Sequence, residues 1–316
     1  MCCLPPTILT REQLLKKRVA VLYGGTSAER EVSLRSGQAV YQALRAAGYQ
    51  VHLIDVGSDL PAQLTAQGSE IAFIALHGRN GEDGRVQGLL EMLRIPYTGS
   101  GVLASSLAMD KRVTKQLLLF HAVPTPAYAV VRTQEEVQTY LAGVHVFPLV
   151  VKPAHEGSTL GISIVHDARE LRAGIEAAAV FDAAVLIEEF IDGPELTVSV
   201  MKGVALPIIQ IVPNEGFYDY RAKYTVGQTR YLLPAPLNAA LSAAIQQAAV
   251  RACELLGCRG AARVDFMLRD QRFYCLEVNT IPGMTETSLL PKAAAAVGLD
   301  FGQLAEQILL DAALDK

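Results

Sequence analysis

Residues 262–285, ARVDFMLRDQRFYCLEVNTIPGMT, resemble a β-hairpin that carries acidic and amide side chains among apolar ones. Side chains alternate between the two faces of a strand, so Glu277 and Asn279 project the same way, as do Arg263 and Asp265. Two nearby carboxylates repel unless a cation lies between them, and an oxygen-only set of this kind suits Mg²⁺. The alternative is a solvated hairpin face with a salt bridge from Arg263, and the hairpin alone does not decide between them.

The register of this hairpin follows from the polar face. The polar residues of both strands have odd residue numbers, so they share one face only if odd-numbered residues pair with odd-numbered residues across the hairpin. This condition predicts Asp265 opposite Glu277. The connecting loop must then be of odd length and centred on Gln271, and a two-residue turn at Asp270-Gln271 would break the register. The other face is predicted to be apolar, with Val264, Phe266, Leu268, Leu276 and Val278.

A second segment, VVKPAHEGSTLGISIV (150–165), suits phosphate binding. Lys152 ends a predicted strand, and the small-residue loop 157–161 follows it. Glycines let backbone N–H groups close around phosphate oxygens, while the lysine supplies positive charge. A tight hairpin turn has the same composition, so both interpretations stay open. Acids in VLIEEFIDGPELTV (185–198) suit an adenine amino group and ribose hydroxyls, although taken alone they are better explained as surface acids.

The elements that position these segments indicate an α/β domain followed by α+β domains. Strand and helix alternate in KRVAVLYGG, EVSLRSGQAVYQALRAAG, YQVHLIDV, IAFIALHG and GRVQGLLEMLR, which predicts a parallel sheet with ligand-facing loops at the carboxyl ends of its strands. Short β-rich segments with one helix at 168–179 follow, and then a long amphipathic helix near 238–256. The predicted domains are a loosely ordered extension (1–15), an N-terminal substrate-binding α/β domain (16–109), a central α+β domain (110–194) and a C-terminal α+β domain (195–316).

The composition fits a globular protein that acts on small molecules. The 316 residues are 51% hydrophobic, and a formal net charge of -4 without long charge runs argues against a nucleic-acid partner. Apolar runs fall short of the ~18 residues of a membrane helix and no secretory signal is recognisable, so we expect a cytoplasmic protein without a membrane partner. The five cysteines lack metal-site spacing and are expected to be free thiols.

Taken in order, eight segments resemble the ATP-grasp fold and, more closely, the D-alanine–D-alanine ligase family. They are LYGGTSAEREVSLRSG (22–37), LHGRNGEDG (76–84), MDK (109–111), VVKPAHEGSTLG (150–161), EEFIDGPE (188–195), YDYRAKY (218–224), ARVDF (262–266) and LEVNTIPGMTETSLLP (276–291). They span nearly the whole chain after residue 18. The resemblance implies a Rossmann-like N-terminal domain, and an ATP-grasp pair of central and C-terminal domains with a lid loop at 214–236.

The resemblance also implies an activity. It is the ATP-dependent ligation of two D-alanine molecules through an acyl phosphate, for peptidoglycan precursor synthesis in the bacterial cytoplasm, by an enzyme that is expected to be a homodimer. ATP is a co-substrate, and two Mg²⁺ (or Mn²⁺) ions would be held by Asp265, by Asn279 and by a bridging Glu277. The positions that match nucleotide-binding residues are Lys111, Lys152 and Lys223 at the phosphates, Glu188 and the main chain near Ile191 at adenine, and Glu195 at the ribose.

The substrate positions follow in the same way. Glu29 would take the ammonium of the first D-alanine, with a hydrogen bond to Ser158, which connects in turn to Tyr224 on the lid. Arg263 would stabilise the developing oxyanion. The remaining matches are His77 beside the first substrate, and Ser288, Leu289 and the backbone at Gly283 around the carboxylate of the second D-alanine.

Other activities remain open from the sequence. The nearest is a ligase that makes a D-alanyl-D-lactate ester or uses D-serine, and the tyrosine at Tyr224 favours an amine acceptor over the ester. A two-metal phosphohydrolase would use a similar acidic hairpin, but it needs a water-positioning base instead of two substrate pockets. A non-catalytic nucleotide-binding protein would not need the full set of lysines and metal ligands.

Overall fold

The computed structural model describes residues 9–157, 161–213, 229–285 and 287–316. Within these ranges the helices are α1 (Arg11–Leu14), α2 (Arg30–Ala46), α3 (Leu60–Ala66), α4 (Arg85–Met92), α5 (Val102–Met109), α6 (Lys111–Phe120), α7 (Gln134–Leu141), α8 (Ala168–Ala179), α9 (Ala239–Leu256), α10 (Leu289–Ala295) and α11 (Phe301–Leu309). The strands are β1 (Arg18–Tyr23), β2 (Gln50–Asp55), β3 (Ile71–Ile74), β4 (Tyr128–Val131), β5 (Leu149–Pro153), β6 (Ser163–Val165), β7 (Val185–Glu189), β8 (Glu195–Met201), β9 (Val204–Ala205), β10 (Ile209–Pro213), β11 (Thr229–Leu232), β12 (Ala261–Arg269) and β13 (Arg272–Asn279).

The first sheet is parallel, in the order β2-β1-β3, and confirms the α/β prediction for this part of the chain. Alternate residues of β1 enter two different cores: Val19 and Val21 on one face, Ala20 and Leu22 on the other. A strand buried on both faces is apolar without interruption, which explains the run VAVL. The segments after β1 and β3, which include Glu29 and His77, therefore leave the sheet at the same edge.

The two ends of the chain pack against this first unit. Leu14 of α1 is fully buried in the core beside β1, and Thr10 caps α1 through reciprocal hydrogen bonds with Gln13. At the other end, α11 contributes Leu304 and Ile308 to the same core. Residues 1–8 of the predicted extension lie outside the described residues, whereas 11–14 form part of the fold.

The second sheet is antiparallel, in the order β4-β7-β5-β6, and buries one face against α8. β5 and β6 are neighbours in this sheet, joined by residues 154–162. Lys152 near the end of β5 and Glu188 of β7 both belong to this sheet, so its strands place a cation and an anion near the connecting loop.

The third sheet is antiparallel, in the order β11-β10-β8-β12-β13, with β9 paired to β8. Its apolar face packs against α9, where the core residues include Val264, Phe266, Val278, Ile245 and Ala249. The opposite face carries the polar residues of β12 and β13. These three sheets give the mixed α/β and α+β architecture that the sequence predicts.

The β12–β13 hairpin has the predicted pairing but not the predicted turn. Asp265 pairs with Glu277, and Arg263 pairs with Asn279. The expected odd-length loop was wrong, because Arg269 pairs with Arg272 around a two-residue turn whose residues both have positive φ, as such hairpin turns require. A β-bulge between Asp265 and Phe266 shifts the register by one residue and restores the polar face.

The same bulge changes the apolar face of the hairpin. Phe266 pairs with Cys275 instead of Leu276, and Cys275 is fully buried in the core while Leu276 is only half-buried. The sequence also did not predict α3, α5 and α7, which are short helices of seven or eight residues. No helix in the described part of the chain combines the length and apolar character needed to cross a membrane.

Candidate active site

A cleft, partly open to solvent, lies where the polar face of the β12–β13 hairpin meets the loops that follow β1 and β3. Nine residues predicted from the sequence line it: Glu29, His77, Arg263, Asp265, Glu277, Asn279, Gly283, Ser288 and Leu289. They come from three distant parts of the chain. The lining also includes Gly157, from the loop predicted to bind phosphate, and three residues to which the sequence assigned no role, namely Glu82, Ile211 and Thr287.

Asp265 is held from two sides. The Arg263 guanidinium donates two hydrogen bonds to it, from Nε to Oδ1 at 2.9 Å and from Nη2 to Oδ2 at 2.7 Å. The hydroxyl of Thr197, which pairs with Asp265 across β8 and β12, donates to Oδ1 at 2.6 Å. This carboxylate is therefore buried with its charge balanced and its orientation set.

Glu277 faces a second cation. Lys111 Nζ lies 3.4 Å from Glu277 Oε2 and donates a hydrogen bond to the backbone oxygen of Glu156 at 2.6 Å. Asn279 Oδ1 accepts a hydrogen bond from the Ile281 N–H at 3.0 Å. Each cross-strand carboxylate of the hairpin thus has a positively charged neighbour from this chain, which limits the repulsion between the two acids.

The donor chemistry of the hairpin fits a hard divalent cation. Asp265, Glu277 and Asn279 line one cleft and offer only oxygen ligands, the set that Mg²⁺ prefers. Among the described residues no three His, Cys, Asp or Glu side chains are grouped closely enough to hold a metal by themselves. The hairpin supplies two such carboxylates and an amide, so further ligands have to come from water or from a bound phosphate.

A buried ion cluster lies behind Lys111. Glu188 is 2% exposed, and its carboxylate contacts Lys115 Nζ at 2.5 Å through Oε1 and Lys152 Nζ at 2.6 Å through Oε2. Burial opposes the charge of Glu188, but the two lysines hold the pKa of its carboxyl below the usual value. Lys152 is also buried, and attraction from Glu188 and Glu277 raises its pKa despite burial. The cluster keeps one net positive charge next to the hairpin.

His77 is buried in the wall of the cleft. Its Nε2 lies 3.1 Å from Ser36 Oγ, and its ring also hydrogen-bonds the backbone of Ile281. Burial, together with the positive charge of Arg263, lowers the pKa of His77 to about 4. The Met284 N–H donates to Ser36 Oγ at 3.2 Å, which leaves the serine proton for the imidazole. His77 is therefore neutral at physiological pH and suited to a hydrogen bond rather than an ion pair.

Glu29 precedes α2 without capping it. It is the N-cap residue, but its side chain makes no hydrogen bond to the first turn. The carboxylate instead turns into the cleft, where its Oε2 would lie 2.7 Å from a Cβ atom at Gly78. Gly78 has a φ of +70°, so both its conformation and this close approach require glycine. The interpretation of Glu29 as a simple helix-end acid is thus disfavoured.

Glu82 is a second carboxylate in the same cleft. The Gly78 N–H donates to its Oε2 at 2.7 Å, while Oε1 is buried without a hydrogen-bond partner in the described residues. Burial raises the pKa of Glu82 well above its usual value, and the nearby charge of Glu29 raises it further. The loop is fixed by the Gln87 side chain, which donates to the backbone oxygen of Gly81 at 2.8 Å.

The far end of the cleft is formed by the segment before α10. The Thr285 N–H donates to Ser288 Oγ at 3.0 Å, and the Thr285 hydroxyl lies 2.8 Å from the same oxygen. A Cβ atom at Gly283 would lie 2.7 Å from Ser288 Oγ, so glycine permits this approach. Leu289 is buried and completes the wall. A hydroxyl and an apolar side chain here suit a small carboxylate-bearing molecule.

Not every predicted residue reaches this cleft. Ile191 is buried after β7, and Glu195 begins β8 opposite Ile211; neither lines the cleft. Their predicted roles at adenine and ribose stay predictions. Ser158 lies outside the described residues, and so do residues 214–228 of the predicted lid loop, which include Lys223 and Tyr224. The rest of that loop includes β11, which pairs with β10.

Three buried residues that support the site were not predicted. Thr197 orients Asp265, Lys115 neutralises Glu188, and Glu82 lines the cleft. A partial signal existed for Lys115, because it follows Lys111 by one helical turn on α6 and so shares its face. Glu82 stood within a quoted motif, but a single acid in a loop has no periodicity that would assign it a role.

Comparison with known families decides the relationship. A model described as D-ala D-ala ligase C-terminus matches residues 119–310, and one described as D-ala D-ala ligase N-terminus matches residues 18–65 and 59–100. The chain belongs to the D-alanine–D-alanine ligase family. This membership confirms the resemblance seen in the eight sequence segments.

Relatives in this ligase family match almost from end to end. The D-alanine–D-alanine ligase of Syntrophotalea carbinolica is 62% identical over 308 residues, covering 98% of this chain and 100% of the relative. The corresponding ligase of Stutzerimonas stutzeri is 52% identical and covers 96% of each chain. Among solved structures, the D-alanine–D-alanine ligase of Bacillus anthracis complexed with ATP has a TM-score of 0.81 at 35% identity, covering 93% of this chain and 97% of that one. The ATP-grasp architecture follows from this likeness.

Proposed function

We infer that this protein is an ATP-dependent ligase that joins two D-alanine molecules to D-alanyl-D-alanine, releasing ADP and phosphate, for peptidoglycan precursor synthesis. The observation that carries this conclusion is the shared cleft. In this cleft the Glu29 carboxylate, which suits an ammonium group, lies together with the oxygen face of the β12–β13 hairpin. The chain that forms the cleft belongs to the ligase family. ATP fits as co-substrate because the related Bacillus anthracis ligase is complexed with ATP.

The chemistry of the reaction explains why so many charges surround the cleft. A carboxylate is a poor electrophile and repels a triphosphate, so it must first be activated as an acyl phosphate while negative charge is neutralised. Lys111 and Lys152 are buried cations next to the hairpin and are proposed to face the ATP phosphates. Lys223 is proposed to join them. Glu188, Ile191 and Glu195 are proposed to bind adenine and ribose.

The amino-acid sites are proposed from the two ends of the cleft. Glu29 takes the ammonium of the first D-alanine, with Ser158 and Tyr224 completing that side, and neutral His77 lies beside the substrate. Ser288, Leu289 and the Gly283 backbone hold the carboxylate of the second D-alanine. Once its amine is deprotonated, that amine attacks the acyl phosphate, and Arg263 stabilises the oxyanion of the tetrahedral intermediate before phosphate leaves.

Two Mg²⁺ or Mn²⁺ ions are proposed on the hairpin, held by Asp265 and Asn279 with Glu277 between them. The support is the oxygen-only donor set and the cross-strand pairing of the two carboxylates. When bound, these ions neutralise phosphate charge. The chain itself orients the carboxylates, through Thr197 and Arg263 at Asp265 and through Lys111 at Glu277.

The test of this function is direct. Purified protein with ATP, Mg²⁺ and D-alanine should release ADP and form D-alanyl-D-alanine, identified by mass spectrometry. Omission of D-alanine should stop phosphate release, which separates the ligase from a two-metal phosphohydrolase. A product formed only when D-lactate is the acceptor would instead identify an ester-forming enzyme, and formation only with D-serine would identify the mixed dipeptide ligase.

We propose that the enzyme works in the cytoplasm as a homodimer. Four large apolar residues are exposed on α4, on α5 and directly after α4, namely Met92, Leu93, Val102 and Leu103. Exposed apolar side chains are a common feature of subunit interfaces. Light scattering on the purified protein should give twice the 34.0 kDa chain mass, and Leu103→Glu should reduce it to one chain. An unchanged mass in the variant would place the interface elsewhere.

A further inference from the structure

Glu82 has one carboxylate oxygen that the described protein leaves without a partner. The side chain is 9% exposed, and its Oε2 accepts a hydrogen bond from the Gly78 N–H while Oε1 is buried and unpaired. A buried polar atom without a partner is destabilising unless a ligand or water supplies the missing bond. Because Glu82 lines the cleft, the missing partner is expected to enter from that side.

Two fixed cations, Arg263 and Lys111, act on Glu82 through their charge, but neither of them hydrogen-bonds its Oε1. Arg263 donates two hydrogen bonds to Asp265, and Lys111 contacts Glu277 and the Glu156 backbone. The divalent ions proposed for this cleft are assigned to Asp265, Glu277 and Asn279 of the hairpin, and not to Glu82. A mobile cation that donates N–H bonds fits the vacant acceptor better.

The position of Glu82 relative to Glu29 points to the same kind of ligand. Gly78 is next to both acids: its N–H donates to Glu82 Oε2, and a Cβ atom built on it would lie 2.7 Å from Glu29 Oε2. Both carboxylates line the cleft and repel one another, and a cation in the cleft relieves that repulsion. An α-ammonium group has three N–H donors and can bind both acids at once.

We propose that Glu82 is a second carboxylate that binds the ammonium group of the first, phosphate-accepting amino acid, opposite Glu29. This inference rests on the proposed ligase function and deepens it, because it makes the first site selective for an amino acid over a plain carboxylic acid. His77 and Arg263 then lie beside the same substrate, facing its uncharged and carboxylate sides.

The decisive variant is Glu82→Gln in the full-length enzyme, with Asp83→Asn as its control. Asp83 is the next residue of the same loop; its carboxylate binds the Asn80 N–H and Arg85, outside the cleft lining. Loss of one charge-assisted hydrogen bond should raise the KM for D-alanine at the first site about 10- to 100-fold. The KM for ATP and for the second D-alanine should stay within about twofold, and the control should resemble wild type.

Inhibition by propionate separates a loss of ammonium binding from a general distortion of the cleft. It has the carboxylate of D-alanine but no ammonium group, so its inhibition constant at the first site should be the same in wild type and Glu82→Gln. A general distortion of the cleft would weaken propionate and D-alanine alike and would overturn the inference. An unchanged first-site KM in Glu82→Gln would overturn it as well, and would leave water as the partner of Oε1.

The outcome is separable from that of the proposed function. If wild-type protein forms no dipeptide, the ligase function fails; if it does and Glu82→Gln keeps its first-site KM, only the role of Glu82 fails. Glu82→Gln should melt no lower than wild type, because it removes a buried carboxylate beside Glu29. Should that variant not fold, Glu82→Asp is the substitute, because it keeps the charge but moves the carboxylate away from the cleft by one methylene group. Its KM for D-alanine at the first site should then rise, and an unchanged KM would overturn the inference.

Discussion

Thr197 Oγ1 donates a 2.6 Å hydrogen bond to Asp265 Oδ1 across neighbouring strands, and both residues are buried. The bond fixes which way the carboxylate faces before any metal arrives. Supporting hydrogen bonds of this kind are as important to metal sites as the ligands themselves. Ser199, two residues along the same strand, provides a natural comparison, because its hydroxyl is buried without a hydrogen-bond partner in the described structure.

Thr197→Val should therefore weaken metal activation. We expect the Mg²⁺ concentration for half-maximal activity to rise about 10- to 100-fold, since the substitution keeps the shape of the side chain and removes only the bond to Asp265. The measurement is a Mg²⁺ titration of ADP release at saturating ATP and D-alanine. Ser199→Ala is the matched control and should leave the titration unchanged. Equal effects in the two variants would show that Thr197 has no special link to the metal.

Glu277→Gln should nearly abolish ligation. The variant keeps the size of the side chain but removes the charge that is proposed to bridge two metal ions and that faces Lys111. A loss of about 100- to 1,000-fold in kcat is expected, the size typical for removal of one electrostatic group from an active site. Dipeptide formation measured by mass spectrometry checks it. Glu254→Gln, an exposed acid paired only with Arg251, should retain wild-type activity; residual activity near wild type in Glu277→Gln would contradict the bridging role.

Lys115→Met should destabilise the fold strongly. It removes one of the two lysines that neutralise Glu188, and breaking a buried ion pair from one side costs about 3–5 kcal/mol. The free energy of unfolding from urea titration is the measurement. Lys17→Met is the control, because Lys17 pairs with Glu70 at the surface and such pairs contribute about 1 kcal/mol or less. If both variants lose the same small amount, the buried cluster is not a source of stability.

The neutral state of His77 predicts a pH dependence of stability. Its pKa in the folded protein is about 4, below the ordinary value of 6.5, so the unfolded chain binds the proton more readily. The contribution of His77 is complete above pH 6.5 and is lost as the pH falls toward 4, by about 2 kcal/mol between pH 7 and pH 5.

His77→Gln should remove this part of the pH dependence. The variant cannot be protonated in this range, so the difference in unfolding free energy between wild type and variant should shrink or reverse as the pH falls from 7 to 5. Urea titrations at both pH values provide the comparison. His166→Gln, at an exposed position, should follow wild type at both values. A parallel pH course for wild type and His77→Gln would mean that His77 is not held neutral by the fold.

Short-range patterns in the sequence determined the architecture and the composition of the hairpin face. The alternation of strands and helices around β1 predicted a parallel sheet, and the alternation of polar residues placed Asp265 opposite Glu277. These predictions succeeded because strand periodicity is a local property, set by the direction of successive side chains. Motif spacing along the chain was also enough to recognise the ligase family.

The tertiary structure decided the turn of the hairpin and the contacts between residues that are far apart in the sequence, which local periodicity does not encode. The two-residue turn and the bulge at the hairpin compensate for one another, and either one alone would have placed Asp265 and Glu277 on opposite faces of the sheet. The pairing of Lys115 with Glu188, and the position of Glu82 beside Glu29, join residues from separate elements. Their chemistry depends on distances and burial that arise only when the sheets pack together, because attraction, repulsion and desolvation act through space and not along the chain.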